Sequence, residues 1–224
     1  MSSENFISQG NTYKITIYST PPDNKKYPII FLLHGNFGLV SPYGDQIKSF
    51  AKDLASQGYV TAVPQYYQDD EPHLTDTNTN PKVQILADAI ATVSSSTGAD
   101  SDRIGLIGFS LGASTAMTFI ASNPLVKVNV LADFFGFITP EIQSGISNFP
   151  PTIIFHNKND LIVPVQDSEE INRLLPDTID HQLVVYDENW QEVNHAFKPA
   201  GSADTDSRSK TVAWFTKHLP PTGS

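Results

Sequence analysis

Cysteine is absent from the 224 residues of this chain. The absence excludes disulfide bonds, thiolate metal sites and a cysteine nucleophile, but it leaves the redox compartment open. Long apolar runs are missing too, because Ile29–Leu33 and Tyr59–Val63 have the length of strands, far below the roughly 18 residues of a membrane span. The first residues have neither the basic nor the apolar segment of a signal peptide. We therefore expect a cytoplasmic protein with no membrane partner.

Positive charge is scarce: 14 Lys and Arg face 24 Asp and Glu, for a net charge of −10. An acidic surface repels phosphate backbones, which excludes nucleic acid as a partner class. With 39% hydrophobic and 10% aromatic residues the chain is neither collagenous nor disordered. Its length favours one domain, residues 1–224 with a core over roughly residues 10–218. The sequence leaves open whether the protein is a monomer or a homodimer.

Short apolar segments alternate with amphipathic ones, which is typical of a parallel sheet covered by helices. The continuous apolar run Pro28–Leu33 predicts a strand buried on both faces, whereas the alternation in Tyr13–Tyr18 predicts an exposed antiparallel edge strand. A turn is predicted at Pro21–Asn24, and the polar, acidic segment Gln65–Asn80 is interpreted as a long solvated loop. The predicted fold class is α/β, with a mostly parallel central sheet and helices on both faces.

The strongest motif is Gly108-Phe109-Ser110-Leu111-Gly112, between an apolar strand and a helix predicted at Leu111–Ser122. A serine on a sharp strand-to-helix turn has its hydroxyl exposed above the sheet edge, and the flanking glycines let strand and helix pass closely. The first turn of the helix also offers amide N–H groups to an oxyanion. The motif predicts that Ser110 is a nucleophile.

A serine nucleophile needs a histidine base, which follows it in the chain on a fold of this kind. His195 is predicted as that base, because it lies in a loop after the last predicted strand. His181 opens a strand, and His218 ends the terminal helix and complements its dipole. His34 follows an earlier strand and His156 ends another, and both are interpreted as histidines packed beneath the site.

The base in turn needs an acid that orients it. Asp160 follows the apolar strand Thr152–Phe155, and carboxyl ends of parallel strands are where open α/β sheets gather their sites. Asp167 is the competing carboxylate, and we interpret it as the N-cap of the next helix. Asp160 is therefore the predicted acid.

An oxyanion hole requires one amide from the residue after the nucleophile, Leu111, and one from the loop after an early central strand. That loop is Leu33–Gly38, whose glycines let a backbone amide approach the substrate. Asn36 is the predicted second donor, with Phe37 as the alternative.

Five segments together resemble the dienelactone hydrolase family of α/β-hydrolases over roughly residues 10–218: HGNFG at 34–38, SQGYVTAVPQYY at 56–67, GFSLG at 108–112, NKNDLIVP at 157–164 and NHAF at 194–197. The resemblance implies an α/β-hydrolase fold that is compact and has no large cap domain. It also implies Ser110, Asp160 and His195 as catalytic triad, with Asn36 and Leu111 as oxyanion donors.

The chain departs from the family pattern at three places. The founding enzymes use cysteine where Ser110 stands, and a glutamate where Gly35 stands. They also clamp a substrate carboxylate with arginines, but here Tyr66–Asn80 contains none and Lys198 follows Phe197. The arginines of this chain are Arg103, Arg173 and Arg208. The departures imply that neutral esters are better substrates than carboxylate-bearing lactones.

The predicted function is a serine hydrolase that cleaves small-molecule carboxylic esters or lactones through an acyl-enzyme, without metal or cofactor. A thioesterase or acyltransferase with the same triad remains an alternative, and so does a non-catalytic binding protein on a hydrolase scaffold. The adjacent carboxylates Asp69-Asp70-Glu71 are interpreted as solvated rather than as a cation site. Aromatic side chains are the expected pocket walls: Phe37, Tyr66, Tyr67, Phe135, Trp190 and Phe197.

Overall fold

A computed structural model describes residues 1–19, 25–69, 71–96, 98–123 and 125–221. The predicted turn at Pro21–Asn24 and Asp70 of the acidic triplet lie outside these residues. The strands are β1 (Ser2–Ser8), β2 (Asn11–Tyr18), β3 (Tyr27–Leu33), β4 (Val60–Gln65), β5 (Ala99–Phe109), β6 (Val130–Phe134), β7 (Thr152–Asn157) and β8 (His181–Tyr186). The helices are α1 (Tyr43–Ser56), α2 (Asn80–Ser94), α3 (Leu111–Ser122), α4 (Pro140–Ser144), α5 (Val165–Leu174) and α6 (Ser202–His218).

The strands form one sheet in the order β1-β2-β4-β3-β5-β6-β7-β8. Strands β3 to β8 run parallel, and β1 and β2 pair antiparallel at one end. From β3 the chain first crosses to β4 on one side and then to β5 on the other. Loops that follow β3 and β5 therefore diverge and leave a crevice at the carboxyl ends of these strands.

Strand β3 is buried on both faces, as its apolar run predicts. Ile29, Phe31 and Leu33 pack in a cluster that includes residues of α2 and α3. Ile30 and Leu32 point to the other face and pack in a second cluster, with residues of α1 and α6. The α/β fold with helices on both faces of a mostly parallel sheet is thus confirmed.

The N-terminal strand β1 was not predicted, and it changes the place of β2. β1 pairs antiparallel with β2, which therefore lies inside the sheet and not at its edge. Within β1 only Phe6 and Ser8 are buried. Two buried positions are too few for a hydrophobic periodicity that predicts a strand. The strand is held mainly by backbone pairing with β2, which leaves no pattern in the sequence. Among the described helices none is both long and apolar enough to cross a membrane.

Candidate active site

Ser110 lies on the turn that joins β5 to α3. Its φ of 54° and ψ of −122° fall in a region that residues other than glycine rarely adopt. The turn is held by three backbone hydrogen bonds. The Ser110 amide donates to the Phe134 carbonyl at 2.8 Å, and the Ser110 carbonyl accepts from the amides of Ala113 at 2.9 Å and Ser114 at 3.1 Å. The motif predicts a sharp strand-to-helix turn at this serine, and in the structure Ser110 adopts a strained conformation between β5 and α3.

The glycines of the motif are required by close backbone contacts. A Cβ atom at Gly112 would lie 2.2 Å from the Leu33 carbonyl oxygen, and one at Gly108 would lie 2.3 Å from the Ala113 Cα. No side chain fits at either distance. The two positions let α3 approach both its own strand and the end of β3, which brings the loop after β3 against Ser110.

The structure brings the three predicted triad residues together in one hydrogen-bonded chain. His195 Nε2 lies 2.7 Å from Ser110 Oγ, and His195 Nδ1 lies 2.7 Å from Asp160 Oδ2. All three side chains are buried. Because a carboxylate only accepts hydrogen bonds, Nδ1 carries the hydrogen and Nε2 is left to accept from the serine hydroxyl. The geometry allows His195 to take the proton of Ser110.

Asp160 is held as an anion by donors on both of its oxygens. Oδ1 accepts from the amides of Ile162 at 2.8 Å and Val163 at 3.0 Å. Burial raises the pKa of Asp160, but interactions with His156 and His195 outweigh burial and bring that pKa to about 2. The carboxylate is therefore charged at neutral pH and can stabilise a protonated imidazole.

Asp167, the competing carboxylate, has a different partner and a different position from the predicted one. The N-cap of α5 is Pro164, so Asp167 lies inside the first turn of the helix and the N-cap interpretation was wrong. Its Oδ2 accepts from the Ile138 amide at 3.1 Å. This contact ties α5 to the segment after β6 and leaves Asp160 as the partner of His195.

The loop that carries His195 is fixed by Asn157, a residue that the sequence reasoning missed. The buried Asn157 Nδ2 donates to the carbonyls of Glu188 at 2.6 Å and Asn194 at 3.0 Å. Asn194 itself has a positive φ of 50°, and its Oδ1 accepts from the Trp190 amide at 2.8 Å. The one available signal in the sequence was an amide side chain at the end of a buried strand.

The loop after β3 lies against Ser110, since a Cβ at Gly35 would be 3.1 Å from the Ser110 Cβ. Asn36 in this loop is held from the opposite side. Its carbonyl accepts from the His73 amide at 2.7 Å, and its Nδ2 donates to the Leu74 carbonyl at 2.9 Å. In the described part of the chain no acceptor pairs with the backbone N–H of Asn36, which can therefore donate to a ligand. The Leu111 amide is likewise at the first position of α3, where no intrahelical acceptor exists.

Described residues on either side of Asp70 in the acidic segment make specific contacts, where we expected a solvated loop. Asp76 Oδ2 pairs with the buried Lys82 Nζ at 2.6 Å and accepts from the Tyr67 hydroxyl at 3.1 Å. Tyr67 also stacks on His73, with ring centroids 4.0 Å apart. The resulting cluster behind Asn36, called the brace below, consists of Tyr67, His73, Leu74 and Asp76. The composition alone did not reveal it.

A cavity of about 320 Å³ has Ser110 and His195 on its wall. Three of the predicted aromatic walls, Phe37, Phe135 and Phe197, line it as expected. Further lining residues, which sequence reasoning missed, are Tyr43, Ile47, Phe50, Leu74, Phe109, Phe134, Ile162 and Val193. The site is thus an apolar cavity with a few polar groups near the serine.

Tyr66, Tyr67 and Trp190 do not line this cavity, so their predicted role as walls is corrected. The buried Tyr66 hydroxyl donates to the His34 carbonyl, beneath the loop after β3. Tyr67 belongs to the brace, and Trp190 packs edge-on against Tyr43 with ring centroids 6.1 Å apart. Aromatic type predicted burial correctly, but the face to which each ring points depends on the loop conformation.

Arg208 on α6 is the one lysine or arginine side chain among the described residues that line the cavity. Its guanidinium is already engaged: Nε donates to Asp204 Oδ1 at 2.8 Å, and Nη2 donates to the Gln46 carbonyl at 3.0 Å. Nη1 also lies 3.6 Å from Asp53 Oδ2. An anionic ligand would have to compete with these carboxylates for Arg208.

The other two arginines form surface contacts away from the cavity. Arg103 donates to the Pro220 carbonyl and lies 3.7 Å from Asp100. Arg173 pairs with Glu170 at 2.6 Å on α5. Across the described residues, no group of three or more His, Asp or Glu side chains is arranged to hold a metal ion.

Comparisons with known proteins agree with this architecture. The model of the dienelactone hydrolase family matches residues 15–219. The Yersinia pestis protein named "Putative carboxymethylenebutenolidase" is 24% identical over an alignment 237 residues long with gaps, and the alignment covers 94% of this chain and 86% of that protein. Esterase 2 of Thermogutta terrifontis, solved after phosphorylation by paraoxon, has a TM-score of 0.78 at 16% identity and covers 99% of this chain and 96% of its own.

A second solved structure, a dienelactone hydrolase-like promiscuous phosphotriesterase from metagenomic libraries, has a TM-score of 0.77 at 14% identity. The match covers 97% of this chain and 98% of that chain. At these identities the two structures establish the fold alone, whereas the family model spans nearly the whole sequence. The chain belongs to the dienelactone hydrolase family.

Proposed function

We propose that the protein is a carboxylic ester hydrolase that works through an acyl-enzyme on Ser110. The observation that carries the proposal is the hydrogen-bonded chain from Asp160 through His195 to Ser110, placed on the wall of an apolar cavity. Family membership supports an ester or lactone bond as the target. The names of the relatives, a carboxymethylenebutenolidase and an esterase, point to the same bond.

In the first half-reaction Ser110 Oγ attacks the carbonyl carbon of the ester while His195 Nε2 takes the hydroxyl proton. The resulting imidazolium gives this proton to the departing alcohol, which leaves an acyl group on Ser110. Water then attacks the acyl-enzyme, with His195 again acting first as base and then as acid. Asp160 stays ionised throughout and stabilises the imidazolium.

The carbonyl oxygen acquires negative charge in both tetrahedral intermediates and needs fixed donors. We assign this role to the backbone amides of Leu111 and Asn36. The Leu111 amide begins α3, where the helix dipole adds positive potential. The Asn36 amide is held by the brace at His73 and Leu74, so it requires little reorganisation when the oxyanion forms.

The cavity favours a neutral substrate with an apolar acyl or alcohol group. Its walls are largely apolar, and its one arginine, Arg208, is occupied by Asp204 and the Gln46 carbonyl. The net charge of −10 also repels an anion on approach. We therefore propose short-chain neutral esters as the preferred substrate class over carboxylate-bearing lactones.

A fluorophosphonate provides the direct test of the nucleophile, because it modifies only a serine that a base activates. We expect stoichiometric labelling of the folded protein and recovery of the label on the peptide that contains Ser110, measured by mass spectrometry. Ser114 is the matched control, since it is a buried serine in the first turn of α3 and its Oγ donates to the Phe137 carbonyl at 2.9 Å. Ser114→Ala should label normally. A label on another residue, or none on folded protein, contradicts the proposal.

The preference for neutral substrates is tested by the ratio of kcat/KM for p-nitrophenyl butyrate to that for a dienelactone. Each charge-assisted contact contributes about 1.5–3 kcal/mol, so the absence of two clamping arginines should disfavour the anionic lactone by roughly 10²–10⁴-fold. Low ionic strength should widen the difference, because the acidic surface is then less screened.

The variant Arg208→Gln tests whether Arg208 is only structural or binds the carboxylate of the lactone. If Arg208 is only structural, the ratio should change by less than about threefold, with Lys198→Gln as control. A dienelactone value equal to or above that of the butyrate ester, lost on Arg208→Gln, would mean that Arg208 leaves Asp204 to bind the carboxylate.

A further inference from the structure

His156 is a fully buried histidine that the proposed mechanism leaves without a task. It lies near the end of β7 and contacts groups from two neighbouring segments. Its Nδ1 lies 2.7 Å from the hydroxyl of Ser168 on α5, and its Nε2 lies 2.9 Å from the Val163 carbonyl oxygen. The same Nε2 lies 3.3 Å from Asp160 Oδ2. That oxygen is the one that accepts from His195.

The hydrogen position on His156 follows from these neighbours. A carbonyl oxygen and a carboxylate both only accept, so Nε2 carries a hydrogen that is shared between Val163 and Asp160. The Ser168 hydroxyl can donate to Nδ1 or accept from it, and in either case it fixes the rotation of the ring. Burial lowers the pKa of His156. The carboxylate of Asp160 and the Val163 carbonyl raise that pKa by more than burial lowers it, so the net shift is upward.

We propose that His156 is a positioning residue for the triad, which directs Asp160 Oδ2 at His195 and restrains the basicity of that carboxylate. The inference rests on the proposed function, since it takes Asp160 and His195 as the acid and the base. A donor at Oδ2 competes with His195 Nδ1 for the same oxygen. Without it, Oδ2 would bind the imidazolium more strongly, and the amides of Ile162 and Val163 at Oδ1 would be the remaining restraint on the carboxylate besides His195.

Two other carboxylates, the buried Asp133 and the half-buried Asp167, contribute to the electrostatics around His156 and have to be kept constant in a test. Asp133 on β6 lies near His156, and burial raises its pKa to about 6. Its Oδ1 accepts from the Gly136 amide at 2.9 Å. Asp167 on α5 acts electrostatically on Asp133. Both remain in every variant proposed below, so they cannot account for a difference between variants.

A pair of amide substitutions isolates the contact at Nε2. In His156→Gln the amide nitrogen reaches about as far as the histidine Nε2 and can still donate to Asp160. In His156→Asn the amide is one methylene shorter, so it stays near Ser168 and withdraws from Asp160. Thr152→Val is the control for stability, since it removes a buried hydrogen bond of 2.7 Å to Pro150 at the other end of β7.

For His156→Asn we expect kcat for p-nitrophenyl butyrate to fall by roughly ten- to a hundredfold, the effect of losing a donor to a charged group. KM should stay within about twofold, because His156 does not line the cavity. The acid limb of the kcat/KM profile should move to higher pH, as His195 holds its proton more tightly. His156→Gln should keep kcat within about threefold and leave the acid limb in place.

The downfield proton resonance of the hydrogen bond from His195 Nδ1 to Asp160 Oδ2 gives a readout that needs no turnover. We expect it to shift in His156→Asn and to keep its position in His156→Gln and Thr152→Val. This readout decides the role of His156 even if the wild-type protein fails to hydrolyse esters. Failure to hydrolyse esters would contradict only the proposed function.

Folded His156→Asn with wild-type kcat, acid limb and resonance overturns the inference. So do equal losses in both variants with an unmoved acid limb and resonance, because they indicate a structural role alone. If His156→Asn does not fold, His156→Gln decides: wild-type behaviour supports the positioning role, and loss of kcat in the folded variant overturns it.

Discussion

Replacement of Ser110 or His195 by alanine is expected to lower kcat/KM for p-nitrophenyl butyrate by roughly 10⁵–10⁶-fold, because either change removes the nucleophile or its base outright. The two losses should not add in the double variant, since the residues act as one unit. A residual rate should remain from the Leu111 and Asn36 amides, which still bind the oxyanion. Steady-state kinetics on protein free of active contaminants measure all three variants.

The folded state is expected to survive both changes. Alanine tolerates the positive φ at position 110 about as poorly as serine, so the strain in the turn is nearly unchanged. Thermal unfolding of each variant checks this point. Activity within tenfold of wild type in either folded variant is incompatible with the triad assignment.

Asp160→Asn is expected to lower kcat by about 10⁴-fold while the protein stays folded. The reason lies in the two ends of this carboxylate. Oδ1 accepts from the amides of Ile162 and Val163, so the asparagine oxygen takes that position. The asparagine NH₂ must then face His195 Nδ1, which has to accept instead of donate. The imidazole hydrogen moves to Nε2, and His195 can no longer take the proton of Ser110.

Asp167→Asn is the matched control for this variant, since it neutralises the neighbouring carboxylate on α5. Asparagine keeps an oxygen that can accept from the Ile138 amide. We expect a change in stability of less than about 1 kcal/mol and activity within about threefold. An inactive Asp167 variant beside an active Asp160 variant would mean that Asp167, and not Asp160, is the acid.

The chemistry of the candidate site could be inferred from the sequence because its signals are local or depend on chain order. The motif around Ser110 joins a strand to a helix, and the glycines at 108 and 112 report backbone contacts that any side chain would block. Asp160 and His195 stand in loops after successive strands, and a parallel sheet brings the ends of such strands to one edge. The alternating pattern likewise determined the α/β fold class.

The sequence could not give the strand β1 or the cavity wall, because neither depends on local pattern. β1 is held by pairing with β2, and its side chains are mostly exposed. Tyr66 and Tyr67 are buried as their type predicts, yet their hydroxyls donate to the His34 carbonyl and to Asp76. The cavity is lined instead by Phe109 and other rings. A hydrogen-bond partner distant in the chain decided their direction.

The sequence by itself determined the class of fold and indicated the groups that we propose to react. Only the tertiary structure decided how those groups are held. The contact between His156 and Asp160, the brace at Asn36 and the pairing of Arg208 with Asp204 each join different secondary-structure elements or loops. Such contacts depend on the distance and direction between segments after packing, and no periodicity or motif records those quantities.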